Sequence, residues 1–153
     1  MTAIVNIPEN RAELQQLRHG PPTHPLRGFA PTQRMLDAFH YEPGDTEEAE
    51  YAATVIASVE AMLRHGERLV LAVATDDFEP DPGPDADFGA VEVEPFNWDR
   101  VQSIFADDAP GRDAAAREQA ETPLADAWAA DGVQSLIETH DLMWFGPSEA
   151  DQF

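Results

Sequence analysis

Apolar and polar positions alternate in two rhythms along this chain, and the rhythm changes at recognisable punctuation. Met1–Pro8 reads as a short β segment, with Ile4 and Ile7 flanking Val5 and a proline at its end. Asn10 caps a predicted helix over Arg11–His19, with Glu13 completing a capping box and Gly20 stopping it. The proline-rich loop at 20–25 leads to a strand candidate at Arg27–Ala30, after which Thr32 opens a short helix through Met35, Leu36 and Phe39. The strongest helical pattern is Thr46–His65. Ala52, Val55, Ile56, Val59, Met62 and Leu63 recur at three-and-four spacing, Asp45 stands at the N-cap and Gly66 closes the helix.

Beyond it, Arg68–Thr75 is a nearly unbroken apolar run, which predicts a strand buried on both faces at the centre of a sheet. The segment 76–88, DDFEPDPGPDADF, carries six acids and no base, and its alternating prolines predict an exposed loop with no packed element. Ala90–Glu94 alternates as a half-exposed strand, and Val101–Ala106 reads as another. Residues 110–130 are alanine-rich and helical, with Pro123 either breaking the helix or beginning a second one and Gly132 ending it, and Asp141–Phe145 supplies a closing strand. Together these elements predict one globular domain over residues 1–146, of α/β or α+β class. Its mixed sheet has about five strands with helices mainly on one face, and residues 147–153 form a frayed tail.

Composition narrows the chemistry more than the fold. The chain has 153 residues, of which 42% are hydrophobic, a balance suited to a single domain with an ordinary core. Its nine basic residues are all arginine, set against 30 acids for a net charge of −21, and cysteine is absent. Thiolate nucleophiles, disulfides and cysteine zinc sites are therefore excluded, as are lysine Schiff bases and lysine-dependent phosphate loops. Missing lysine fits high-GC coding bias or a halophilic surface. The charge disfavours direct binding to nucleic acid and to anionic membranes, and it favours a basic protein partner. No basic-then-apolar leader opens the chain and no apolar run approaches about 18 residues, which predicts a soluble cytoplasmic protein. The excess is uneven: residues 1–75 carry a net −4 and residues 76–153 a net −17.

The stretches RGFAPTQRM, EEAEYAATVIASVEAML, RLVLAVAT, EPFNWDRVQSIFADDA and ETHDLMWFGPSEADQF, in this order, resemble an uncharacterised family of short acidic proteins from high-GC actinobacteria. The resemblance spans most of the chain. It implies a single cytoplasmic domain of bacterial origin and unknown function, and it brings no catalytic residue with it.

Two sets of residues remain as candidates. The acidic loop, with Asp76, Asp77, Glu79, Asp81, Asp85 and Asp87, together with Trp144 among the C-terminal aromatics, suits a docking surface for an arginine- or lysine-rich partner. That is the leading expectation: a non-enzymatic interaction or regulatory domain without a cofactor. The alternative is a metal-dependent hydrolase or metal-binding protein. If the strands ending at Asp76-Asp77 and Asp107-Asp108 were parallel neighbours, their four carboxylates would share one sheet edge, with His140 as base. Against this, aspartate after a strand is ordinary turn and N-cap chemistry. A calcium loop starting at Asp77 fails, because its sixth position is Pro82 and its twelfth Phe88. Oligomeric state is left open.

Overall fold

The computed structural model describes residues 2–153. Seven strands form one open sheet: β1 (Ile4–Pro8), β2 (Leu26–Phe29), β3 (Leu69–Ala74), β4 (Phe78–Pro80), β5 (Ala90–Val93), β6 (Val101–Ala106) and β7 (Met143–Phe145). Their order is β4-β5-β2-β1-β3-β6-β7 and every pairing is antiparallel, so the sheet is neither mixed nor limited to about five strands. The strand at its centre is β1. β3, expected there, lies next to it and is buried on both faces along most of its length.

Alternation along the strands divides the core in two. Val5, Ile7, Leu69, Leu71, Val73, Val91, Val93 and Ile104 face one side, where α1 (Arg11–His19) packs through Leu14 and Leu17. Phe29, Val70 and Ala90 face the other, beneath α2 (Gln33–Ala38), α3 (Thr46–His65), α4 (Ala109–Arg117), α5 (Leu124–Ala129) and α6 (Asp131–Thr139). The larger helical layer thus sits on one face, and a thinner layer closes the other. Gly28 is required at the thin side: a Cβ there would come within 2.7 Å of Val5 Cγ1 and 2.9 Å of Ile7 Cδ1.

Local signals act in part as expected. Asn10 Oδ1 accepts the Glu13 N–H at 2.8 Å, and Gly66 ends α3 at φ 80° with its N–H on Met62 O. Asp45, by contrast, turns back to accept the Glu42 N–H and makes no side-chain cap on α3. Gly132 does not end a helix. It lies in the first turn of α6, after the alanine-rich segment has already broken at Glu118.

Two segments expected to be loose are ordered by specific contacts. Within 76–88, β4 pairs with β5, Ala86 is buried in a 3-10 turn, and Phe88 joins Phe39 and Trp128 in an aromatic cluster with centroids 5.7 to 6.3 Å apart. The 147–153 tail forms a 3-10 turn with Ala150 buried. Gln15 Nε2 donates to Ala150 O and Phe153 O, and the Phe153 ring packs edge-on against Phe145 at 5.1 Å.

A buried ion pair joins the adjacent ends of β3 and β6 and reaches the end of α6. Arg68, 2% exposed, meets the buried Asp107 at 2.7 Å; Asp107 Oδ2 also accepts the Arg68 backbone N–H, and the guanidinium donates to His140 O at 2.6 Å. Removing one buried partner leaves the other charge uncompensated. Asp107→Ala is therefore expected to lower unfolding free energy by about 3–5 kcal/mol in urea titration. Arg68→Met combined with Asp107→Ala should lose clearly less than the sum of the single variants.

Candidate functional site

The strand order decides the fate of the carboxylate quartet. β3 and β6 are neighbours but antiparallel, with Leu69 opposite Ala106, so Asp107 lies beside Arg68 at one end of the sheet. Asp76 and Asp77 follow the other end of β3, roughly 25 Å away at about 3.3 Å per residue. No single ion bridges that span, and no group of three or more ligating side chains occurs among the described residues. The individual roles are structural. Asp107 is committed to Arg68, Asp108 Oδ1 caps α4 by accepting the Gly111 N–H at 2.7 Å, and Asp76 Oδ1 accepts the Ala3 N–H at 2.8 Å. His140 reaches the Asp107 end only through its carbonyl.

The acidic loop is also largely spent on its own fold. Arg27 projects from β2 onto Glu60 of α3 at 2.6 Å and onto Asp85, with Asp81 at 3.5 Å. Burial works against the Arg27 charge, but Glu60 and Asp85 together outweigh it and hold its pKa above the ordinary arginine value. Asp87 pairs with Arg34 at 2.8 Å. Among the described residues, Asp77 and Glu79 are the two loop acids whose side chains have no ion pair or hydrogen bond.

Trp144 is placed differently. It lies on the edge strand β7 opposite Phe105, 61% exposed, and its indole N–H donates to Ser103 Oγ at 2.9 Å. Ser103 belongs to a bulge: Ala72 pairs with Ser103 but Val73 with Val101, so the extra residue Gln102 lets both 102 and 103 face the α3 side. There they form one bank of a groove of about 320 Å3 whose floor is Ala72 and Phe105. The opposite bank is the first half of α3, with Glu47, Glu50, Thr54 and Tyr51, the last 62% exposed. Thr54 is fixed by its hydroxyl donating to Asn6 Oδ1 at 2.9 Å. Tyr51 thus lines a groove with carboxylates on its rim, Trp144 adjoins it through Ser103, no arginine lines it, and Glu47 and Glu50 have no ion pair among the described residues. Tyr51 escapes a sequence reading because it looks like one more member of a helix. Only the unfilled space over Ala72 marks it.

Glu9 is the second residue that sequence reasoning misses. It follows β1, is 3% exposed, and its Oε2 has no hydrogen-bond partner. Burial, reinforced by charge repulsion from Glu13 and a hydrogen bond between the two side chains, pushes its pKa up to about 9. Glu13, expected to complete a capping box, is engaged here instead. Between the ordinary value of 4.5 and about 9 the folded chain keeps a proton that the unfolded chain releases, so this group makes stability fall as pH rises across that window. Thermal midpoints of the native chain should therefore drop relative to Glu9→Gln as pH climbs from about 5 to about 9, with no divergence below about 4. Parallel curves for the two proteins would show that Glu9 ionises normally.

Among the described residues no helix is long and apolar enough to cross a membrane. No curated protein and no solved structure matches the chain. A family model does match, over residues 4–153, so the likeness to an uncharacterised family holds across all seven strands: the chain belongs to a family of unknown function, DUF6912.

Proposed function

We propose that the protein is a cytoplasmic, non-enzymatic interaction domain that binds a basic, extended protein segment in the groove between α3 and the β6–β7 edge. The observation that carries this reading is a groove lined by the exposed Tyr51 ring with Glu47 and Glu50, next to which the exposed Trp144 is held by its hydrogen bond to the lining residue Ser103. Arginine guanidinium groups stack on such rings and pair with such carboxylates, and a net charge of −21 draws a basic partner in from a distance. Ser103 holds the Trp144 ring in place, which lowers the ordering cost of binding. The outer edge of β7 is unpaired, so an extended segment can add to the sheet while its side chains enter the groove. Asp77 and Glu79 are the acidic-loop residues free to add long-range attraction; Asp81, Asp85 and Asp87 are held by arginines of the chain itself.

An arginine-rich peptide of about nine residues, titrated at low ionic strength, should quench tryptophan fluorescence and bind saturably, with affinity falling steeply in salt. Trp144→Ala combined with Tyr51→Ala should weaken binding about tenfold or more, as loss of two central aromatic contacts does. Asp77→Asn with Glu79→Gln should weaken it less. Equal binding by the double aromatic variant and the native chain would overturn the assignment of the groove.

A further inference from the structure

Glu9 opens a second site, on the opposite face of the sheet from the groove. Its backbone N–H is committed to Leu69 O at 3.0 Å, where β1 passes into α1. Its side chain lines a cavity of about 250 Å3 between α1 and the 20–26 segment. Leu17, Pro22 and Leu26 supply apolar walls, Glu13 and Gln16 stand along α1, and His24 closes the outer side. No arginine lines the cavity. His24 Nδ1 lies 3.0 Å from Pro25 O, an acceptor, so the neutral ring donates there and keeps Nε2 as an acceptor. The polar lining is therefore rich in acceptors, and the deepest of them, Glu9 Oε2, is buried without a donor.

We propose that this cavity binds a small organic cation, a primary ammonium or a guanidinium on a short apolar stem, with its N–H groups donating to Glu9 and Glu13 and its stem against Leu17 and Leu26. A buried acceptor left without a donor is unfavourable, and a ligand carrying several N–H donors relieves it. Two carboxylates, one amide, one hydroxyl and one imidazole are too spread along apolar walls for a dedicated metal site, whereas the leucines and prolines suit an alkyl stem. An anion would meet two carboxyl groups and no arginine.

Charge balance explains how a buried carboxyl can accept a cation. In the free protein the Glu9 carboxyl carries a proton. When the ammonium enters, the O–H bond breaks, the proton passes to solvent, and the remaining carboxylate pairs with the ligand, so one positive charge replaces another. The titratable groups facing Glu9 are Glu13 on α1 and His24 on the 20–26 segment; β3 presents only the Leu69 carbonyl. Affinity should tighten about tenfold per pH unit as pH rises toward the point where Glu9 itself ionises.

The test is calorimetry of n-butylammonium at about pH 8 in two buffers of different ionisation enthalpy, with n-butanol as the neutral match. Saturable binding to one site, release of about one proton per ligand, and no heat from n-butanol are expected. Glu9→Gln should abolish binding, and Glu13→Gln should weaken it. Trp144→Ala should leave it unchanged, which separates this site from the groove. Should Glu9→Gln fail to fold, methyl chemical shifts of Leu17 and Leu26 in the native chain should still move on titration. Absence of saturable binding, equal binding by n-butanol, equal binding by Glu9→Gln, or binding without proton release would each overturn the proposal.

Discussion

The Arg68–Asp107 pair is the constraint on which the architecture turns. It joins the residue before β3, the residue after β6 and the end of α6 at one point, with the guanidinium reaching the His140 carbonyl. A buried pair of this kind is a poor source of net stability, because desolvation offsets most of its attraction. Its value is positional. Only one register of β3 against β6 brings Arg68 beside Asp107, and that register sets the bulge at Ala72 and Ser103 that shapes the groove. The geometry of the candidate interface is thus a downstream consequence of a charge pair at the far end of the same strands.

The acidity of the chain has a second meaning once the partners are known. Glu60, Glu67, Asp81, Asp85, Asp87 and Asp107 are all engaged by arginines of the same chain, and several of those contacts cross between layers. Arginine suits this work, since its planar fork serves two or three carboxylates at once, as Arg27 does. The C-terminal half still carries the net excess. Part of it acts as internal cement, and the remainder gives the molecule its long-range field.

Much of the fold was legible because local rules and burial agree there. The α3 stripe, the β3 run, the Asn10 cap and the Gly66 stop all reappear in the structure. Failures occur where tertiary contacts override local signals. Phe78–Pro80 reads as loop yet pairs with β5, because Phe78 packs on the core while Arg27 holds Asp81 and Asp85 of the same segment in place. The 147–153 tail reads as frayed yet docks through Gln15 and Phe153. Strand direction was invisible to periodicity, and the carboxylate quartet rested on it. At the sites, Trp144 was recognisable from its type and position, whereas Tyr51 and Glu9 depend on empty space beside them, which no one-dimensional pattern encodes.

The central position of β1 carries a kinetic consequence. Its main partner is β3, and the register Ile4 to Ala74 joins residues separated by most of the first half of the chain. The central strand can pair early with β2 along one edge, but its other edge cannot be paired until β3 has been synthesised. Closing such a loop is entropically demanding, and sheets built from distant pairings fold slowly for that reason. Until then an apolar Ile-Val-x-Ile segment keeps one edge unpaired, so the emerging chain spends that interval with its future centre half covered, and its large negative charge is then what keeps copies apart.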